Sequence, residues 1–361
     1  MSMKICGVKT SISEFASGLT VFFGRHRKSL LYGLFVIVSL ICGLTYAYLL
    51  PFGQVPDELA HYEMIEEEFG TEGYYNQLQD VLWIQGGYED VKWHPDVKVN
   101  AEAVASIKNT RFSHRLALSD FHPSIRIFRH LPAGIGFYLG IALDLPILSC
   151  TYLAELFSVL FFVGMGLLTI KTAPVKKEIF AFCLLIPETL QQCASVSYDS
   201  VTIPITFLLF AYILHLYERD KSVQWKQISV VIFMVFVLLV TKPPYALVML
   251  TLFMIPSAHY DLRIGKKTEA VHLIKKYWYI VLTLIILIGG LGVYHFRDTS
   301  IMKTIIADIL SIGDFARMLV RTFNKTGYET FYMMVGEFGW LDSRGPESFL
   351  LLFTGMLVCF W

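Results

Sequence analysis

The chain has 361 residues, of which 55% are hydrophobic and only 17% charged, with a formal net charge of zero. Soluble domains carry about 25% charged residues, and the apolar excess here gathers in long runs between short charged stretches, which excludes an ordinary soluble fold. No nucleic-acid partner is expected, and the six cysteines offer no disulfide framework: Cys42, Cys183, Cys193 and Cys359 fall in apolar runs, Cys150 opens one, and Cys6 lies in the N-terminal tail.

Residues 29–50 are apolar, uncharged and 22 residues long, enough to cross a hydrocarbon core of about 30 Å. Arg25, His26, Arg27 and Lys28 precede this run, and Pro51-Phe52 follow it without a small-residue cleavage pattern. It therefore reads as an uncleaved signal anchor, with residues 1–28 as a cytoplasmic tail and the segment after Leu50 outside.

Residues 51–148 form an outer loop far longer than a connector requires, with 14 acidic and 7 basic side chains. Pro56 suits a first helical position, and Asp57 and Glu58 fall in the first turn, where acidic groups meet the positive end of the helix dipole. Leu59, Tyr62, Ile65 and Phe69 then share one helical face, expected along the membrane surface. Asp57 and His61 stand i, i+4 and Glu58 and His61 i, i+3, so the three share an edge. Such a set can act as a general base or hold a divalent cation; the two acidic residues can equally do no more than cap a surface helix. Residues 121–143 give a second candidate surface helix. It is long enough to span, but a crossing there would turn every later Lys cluster outward. On it, Arg126, Arg129 and His130 either face lipid phosphate or serve as interfacial anchors.

Further spans are expected at 149–170, 179–196 and 201–217, as two short spans in 228–257 broken at Lys242-Pro243-Pro244, and at 278–296. The short segments 171–178, 218–227 and 259–277 carry the Lys/Arg clusters and are placed inside. Glu188, with Gln191 and Gln192, falls inside the third span, where a carboxylate is either functional or a structural hydrogen-bonding group. The last run, 348–361, covers only about 21 Å, so a truncated product is expected, with a half-span helix as the alternative. The organisation is thus a tail (1–28), a signal-anchor span (29–50), an outer loop (51–148) and further spans (149–361): an all-α, polytopic transmembrane bundle in the cytoplasmic membrane.

Val55-Pro56-Asp57-Glu58-Leu59-Ala60-His61 resembles the Pro-Asp-Glu-x-x-His signature of a bacterial family of predicted membrane proteins of unknown function. That family is similar in plan to the GT-C glycosyltransferases, among them protein O-mannosyltransferases. The likeness also takes in His122-Pro123 before span two, Ser197-Tyr198-Asp199-Ser200 after span three, Thr241-Lys242-Pro243, and Gly339-Trp340-Leu341-Asp342 before the last run. The protein mannosyltransferases carry two prolines after the histidine, whereas Ser124 stands here in place of the second.

The resemblance implies a GT-C-like bundle, a polyprenyl-phosphate sugar donor, and an acidic residue in the first outer loop acting on the acceptor or a metal. Carried over, Asp57 takes that role, beside Glu58 and His61. Arg126, Arg129, His130 and Lys242 are the expected lipid-phosphate partners, and His122, Asp199 and Asp342 are further candidates. A divalent cation is compatible with this set, but no Gly-rich nucleotide loop or Cys/His zinc spacing is present. The expected function is transfer of a sugar from the lipid carrier to a cell-envelope acceptor, with membrane lipids as surroundings. The rivals are a transporter or flippase of envelope glycolipids and a non-catalytic assembly partner.

Overall fold

The computed structural model describes residues 2–55, 57–91, 99–220, 222–256 and 311–338, together with 260–261, 263–264, 268–269, 343–344, 348, 351 and 354–355; residues 2–25 and 331–338 are described as backbone alone. The helices in chain order are α1 (Ser2–Leu49), α2 (Glu58–Phe69), α3 (Tyr74–Leu78), α4 (Ala101–Ile107), α5 (Leu131–Ala142), α6 (Ile147–Thr172), α7 (Lys177–Leu184), α8 (Pro187–Ala194), α9 (Asp199–Glu218), α10 (Trp225–Thr241) and α11 (Ile312–Gly336). Two antiparallel pairs of two-residue strands, Arg263–Ile264 with Thr268–Glu269 and Glu337–Phe338 with Ser343–Arg344, interrupt an otherwise helical chain.

Among the described residues, three helices are long and apolar enough to cross a membrane: His26–Leu49 of α1, α6 and α9. The expected third span is corrected. Residues 179–196 form no single helix but α7 and α8, joined at Leu185-Ile186. The cause is Pro187, which has no N–H for the helical ladder and forces Ile186 into an extended conformation (φ −57, ψ 128). The break expected at Lys242 is present: α10 stops at Thr241, Lys242 turns extended, and a 3₁₀ helix resumes over Pro243–Met254. The expected span 278–296 and Asp342 lie outside the described residues, as do most of the inside segment 259–277 and most of the run 348–361.

The helices deliver their ends to two opposite sides. On one side, Arg27 pairs with Glu178 at 2.9 Å, and Lys177 donates to the carbonyls of Ile170 and Lys171 at the end of α6. On the other gather the start of α2, the start of α6 (Tyr62 Oη donates to the Thr151 carbonyl), Tyr198 and Asp199 at the start of α9, and Lys242 after α10. Broken as it is, the α7–α8 pair still carries the chain from the first side back to the second.

The described part of residues 51–148 folds as a compact cap on that second side. Tyr62, Ile65 and Phe69 of α2, expected along the bilayer, are instead buried in a core with Leu78, Leu82, Phe137 and Ile147. The element expected over 121–143 is a short 3₁₀ turn (Ile125–Arg129) followed by α5, because Pro132 suits only the first turn of a helix. Helix α5 lies tightly on α6: a Cβ at Gly136 would stand 2.4 Å from the Leu153 carbonyl oxygen, and one at Gly140 2.9 Å from Cys150 Sγ. The four cysteines described with their side chains, 42, 150, 183 and 193, are free.

Candidate active site

The site is built on α2 and on what its C-terminus holds. Gly70 ends the helix in the left-handed region (φ 70), its N–H donating to the Glu66 carbonyl. A side chain there would collide with the His122 backbone, which passes close because the N–H groups of His122 and Ser124 donate to the carbonyls of Phe69 and Glu68. Two otherwise unpaired helix-end carbonyls are thereby satisfied, and the chain is fixed so that His130 arrives against α2.

There the structure brings together three buried groups in a row. His61 Nδ1 lies 2.9 Å from His130 Nε2, and His130 Nδ1 lies 2.8 Å from Glu68 Oε2. His130 is fully buried, His61 is 4% exposed and Glu68 2%. Burial pushes the Glu68 carboxyl up to about 8, against the lowering pull of Arg129 and Arg126. Burial holds His61 down to about 3, helped by His130, and His130 likewise down to about 3, helped by Arg129. At neutral pH the His130–Glu68 contact is therefore a hydrogen bond between neutral groups, not an ion pair. The row has two self-consistent proton patterns. With Glu68 ionised, His130 donates to it and accepts from His61, which leaves a lone pair on His61 Nε2. With Glu68 protonated every bond reverses, and His61 Nε2 carries the proton. One proton taken up at His61 Nε2 is thus delivered at Glu68.

Around the His61 end stand the polar residues of the helix ends. The Tyr198 ring meets His61 edge to face at 4.8 Å. Lys242 Nζ sits 4.8 Å from the same ring and bonds both Asp199 oxygens, at 2.7 and 3.0 Å. Asp57 precedes α2 with φ 61, a conformation uncommon outside glycine, and its carboxylate makes no capping hydrogen bond. It is exposed, and its charge reaches His61. The helix-cap alternative therefore does not describe either acidic residue, because Glu58, unlike Asp57, is buried and accepts from Gly53 N at 2.7 Å, ahead of the helix. Burial pushes Glu58 up to about 7. A cavity of about 170 Å³ lined by Gly53, Asp57, Tyr75 and Trp83 opens beside Asp57.

Several expected roles are corrected by this geometry. His130 has both ring nitrogens engaged inside the protein, so it cannot face a lipid phosphate. Arg129 is half-buried, its Nε donating to the Val240 carbonyl at 2.9 Å and its guanidinium 3.9 Å from Glu68. Arg126 and His122 have exposed side chains; of these, His122 serves through its backbone. Glu188 pairs with Gln192 at 3.2 Å, away from this row. Among the described residues, no three His, Cys, Asp or Glu side chains are placed to hold a metal ion.

A family model described as Predicted membrane protein (DUF2142) matches residues 40–361. The chain belongs to this family. No curated protein and no solved structure matches it. The DUF2142 match includes every residue of the row and both helix breaks.

Two functional candidates of this DUF2142 chain escaped the sequence reading: Glu68 and Glu155. Glu68 stands third in Glu66-Glu67-Glu68, a run that reads as a solvated face. The available signal was the face itself: Glu68 follows His61 by seven residues, two turns, and so returns to the same side as His61 and Ile65. Glu155 is a lone carboxylate inside α6, which the rule for charges at membrane depth marks out.

Proposed function

We propose that the protein is a multi-pass glycosyltransferase of the bacterial cytoplasmic membrane, with a GT-C-like bundle and a cytoplasmic N-terminus. It moves a sugar from a polyprenyl-phosphate carrier to a hydroxyl of a cell-envelope acceptor. The observation that carries this reading is the buried Glu68–His130–His61 row ending beside Asp57, Tyr198 and Lys242. In the proposed reaction the row starts from its Glu68-ionised pattern, which gains population as pH rises toward 8; Asp57 hydrogen-bonds and orients the acceptor, and the acceptor's hydroxyl proton passes to His61 Nε2. The proton on His61 Nδ1 then moves to His130 Nε2, and that on His130 Nδ1 moves to Glu68. The acceptor oxygen bonds the anomeric carbon, the carbon–oxygen bond to phosphate breaks, and the polyprenyl phosphate leaves with the electron pair, its charge met by Lys242. The gathering of Arg27, Lys171 and Lys177 at the opposite side supports the orientation.

The test uses full-length protein in liposomes with radiolabelled polyprenyl-phosphate sugar and an envelope extract as acceptor. Asp57→Asn and His61→Ala should abolish label transfer, while the exposed-site variant Glu63→Gln transfers normally. Normal transfer by both Asp57→Asn and His61→Ala would overturn the assignment. A second reading, a glycolipid transporter or flippase, draws on the two broken helices at Ile186 and Lys242, a device of transporters. It is favoured if these variants stop movement of labelled lipid across the bilayer while no sugar is transferred even by the unaltered protein.

A further inference from the structure

A second buried cluster lies where the end of α1 meets α2, α6 and α8, and it takes no part in the proton row. Glu58 and Glu155, 2% and 6% exposed, are brought together here with no basic side chain lining the space beside them. Beside them is a void of about 10 Å³, room for one water-sized sphere, lined by Tyr46, Glu58, Glu155, Gln191 and Ser195. Glu58 Oε1, Glu155 Oε2 and both amide atoms of Gln191 have no hydrogen-bond partner, and Gln191 is 1% exposed. Polar atoms left unpaired in a buried place are costly, and the three residues that carry them all line this void.

The donor set is made of hard oxygens: two carboxyls, an amide carbonyl, and the Ser195 hydroxyl, which donates to the Gln192 carbonyl and keeps its lone pairs. Two carboxyls at one buried point cannot both ionise without a cation, and the single negative charge of one ionised carboxyl is what a monovalent cation balances. The void is too small for a magnesium ion with its usual waters, and the set is too sparse for calcium.

We propose that Glu58, Glu155 and Gln191 form a binding site for one dehydrated monovalent cation of sodium size. The site rests on this buried geometry and is independent of the sugar-transfer reading. Because the cation and a proton compete for the same oxygens, its binding tightens as pH rises.

The test is equilibrium binding of radioactive sodium to purified full-length protein in detergent. The expected result is saturable uptake of one ion per chain, displaced by unlabelled sodium chloride but not by choline chloride. Binding should be about tenfold weaker or more in Glu155→Gln and Gln191→Leu, and unchanged in Glu63→Gln. Each variant is first checked for the same monodisperse elution as the unaltered protein. Gln191→Leu nearly keeps the side-chain volume, so it remains informative if Glu155→Gln misfolds. Absence of saturable sodium binding, equal displacement by choline, or undiminished binding in both variants would overturn the proposal and leave the void to a water molecule.

Discussion

Helix α2 carries a buried carboxyl at each end, and the two ends are built for different tasks. At its start Glu58 meets another carboxyl, Glu155; at its end Glu68 meets an imidazole, His130. Burial raises both carboxyls by the same cause. The partner decides the consequence. Two acids facing each other can hold one proton or exchange it for a cation. An acid facing a histidine that faces a second histidine can pass a proton along, since each ring both gives and accepts. The same residue type on one helix thus supplies a station at one end and a conductor at the other.

The largest expected effect separates the two ends by activity. Removing either imidazole of the row, by His61→Ala or His130→Ala, should lower sugar transfer by about 10²–10⁴-fold, the range of a lost acid–base group. Asp57→Asn belongs with them and should abolish transfer while leaving membrane insertion intact. Glu58→Gln should cost far less, because a neutral side chain already suits its place beside Glu155. Normal transfer with either histidine replaced would erase the distinction between the two ends.

Next comes stability. Ile65 sits between the two stations on the buried face of α2 with no exposed surface, and Ile65→Ala should destabilise by about 2–5 kcal/mol, read from denaturant unfolding in detergent. Gly136→Val acts from the other side of the same core, driving a side chain into the α6 backbone, and should cost about 1–3 kcal/mol. Little change in either would mean that the cap on α2 is looser than its burial implies.

A smaller effect is the pH profile of the unfolding midpoint. His61 and His130, held down to about 3 from an ordinary 6.5, contribute stability that is present above 6.5 and lost as pH falls toward 3. Glu58 and Glu68, raised from 4.5 to about 7 and about 8, contribute stability that is present below 4.5 and lost as pH rises through those values. Between 4.5 and 6.5 the two slopes oppose each other, so the profile should be flat there and fall on both sides. Glu58→Gln should remove the part of the alkaline loss that ends near pH 7, and Glu68→Gln the part that ends near pH 8. A midpoint that climbs steadily from pH 6 to 9 would contradict both assignments.

Much of this site was legible in the residues, though not its wiring. The apolar spacing of Leu59, Tyr62, Ile65 and Phe69 located α2 correctly. What covers that face was not legible, because a stripe looks the same against lipid as against a folded loop. Asp199 and Lys242 are 43 residues apart, and only the return of α10 to the start of α9 makes them partners. The pairing of His61 with His130 spans 69 residues and depends on His122 and Ser124 binding the end of α2. Pro243 was recognised as a breaker because it is doubled; Pro187 passed unnoticed inside an apolar run, although it divides α7 from α8 for the same reason. Helix α11 escaped as well, since Arg317, Arg321 and Lys325 interrupt the apolar run on which a search for spans relies.

The orientation of the whole bundle has its own check. A cysteine placed at position 90 of an otherwise cysteine-free chain should react with an impermeant reagent in intact cells; reaction only after permeabilisation would reverse the assignment of the two sides.

The neutral proton row is tested most directly by nitrogen magnetic resonance of the full-length protein with ¹⁵N-labelled histidine, His61 and His130 being assigned by substitution. Both rings should stay neutral from pH 5 to 9, and their tautomers should exchange together as Glu68 loses its proton near pH 8. A ring that becomes an imidazolium near pH 6.5, or tautomers that change independently of each other, would contradict the account.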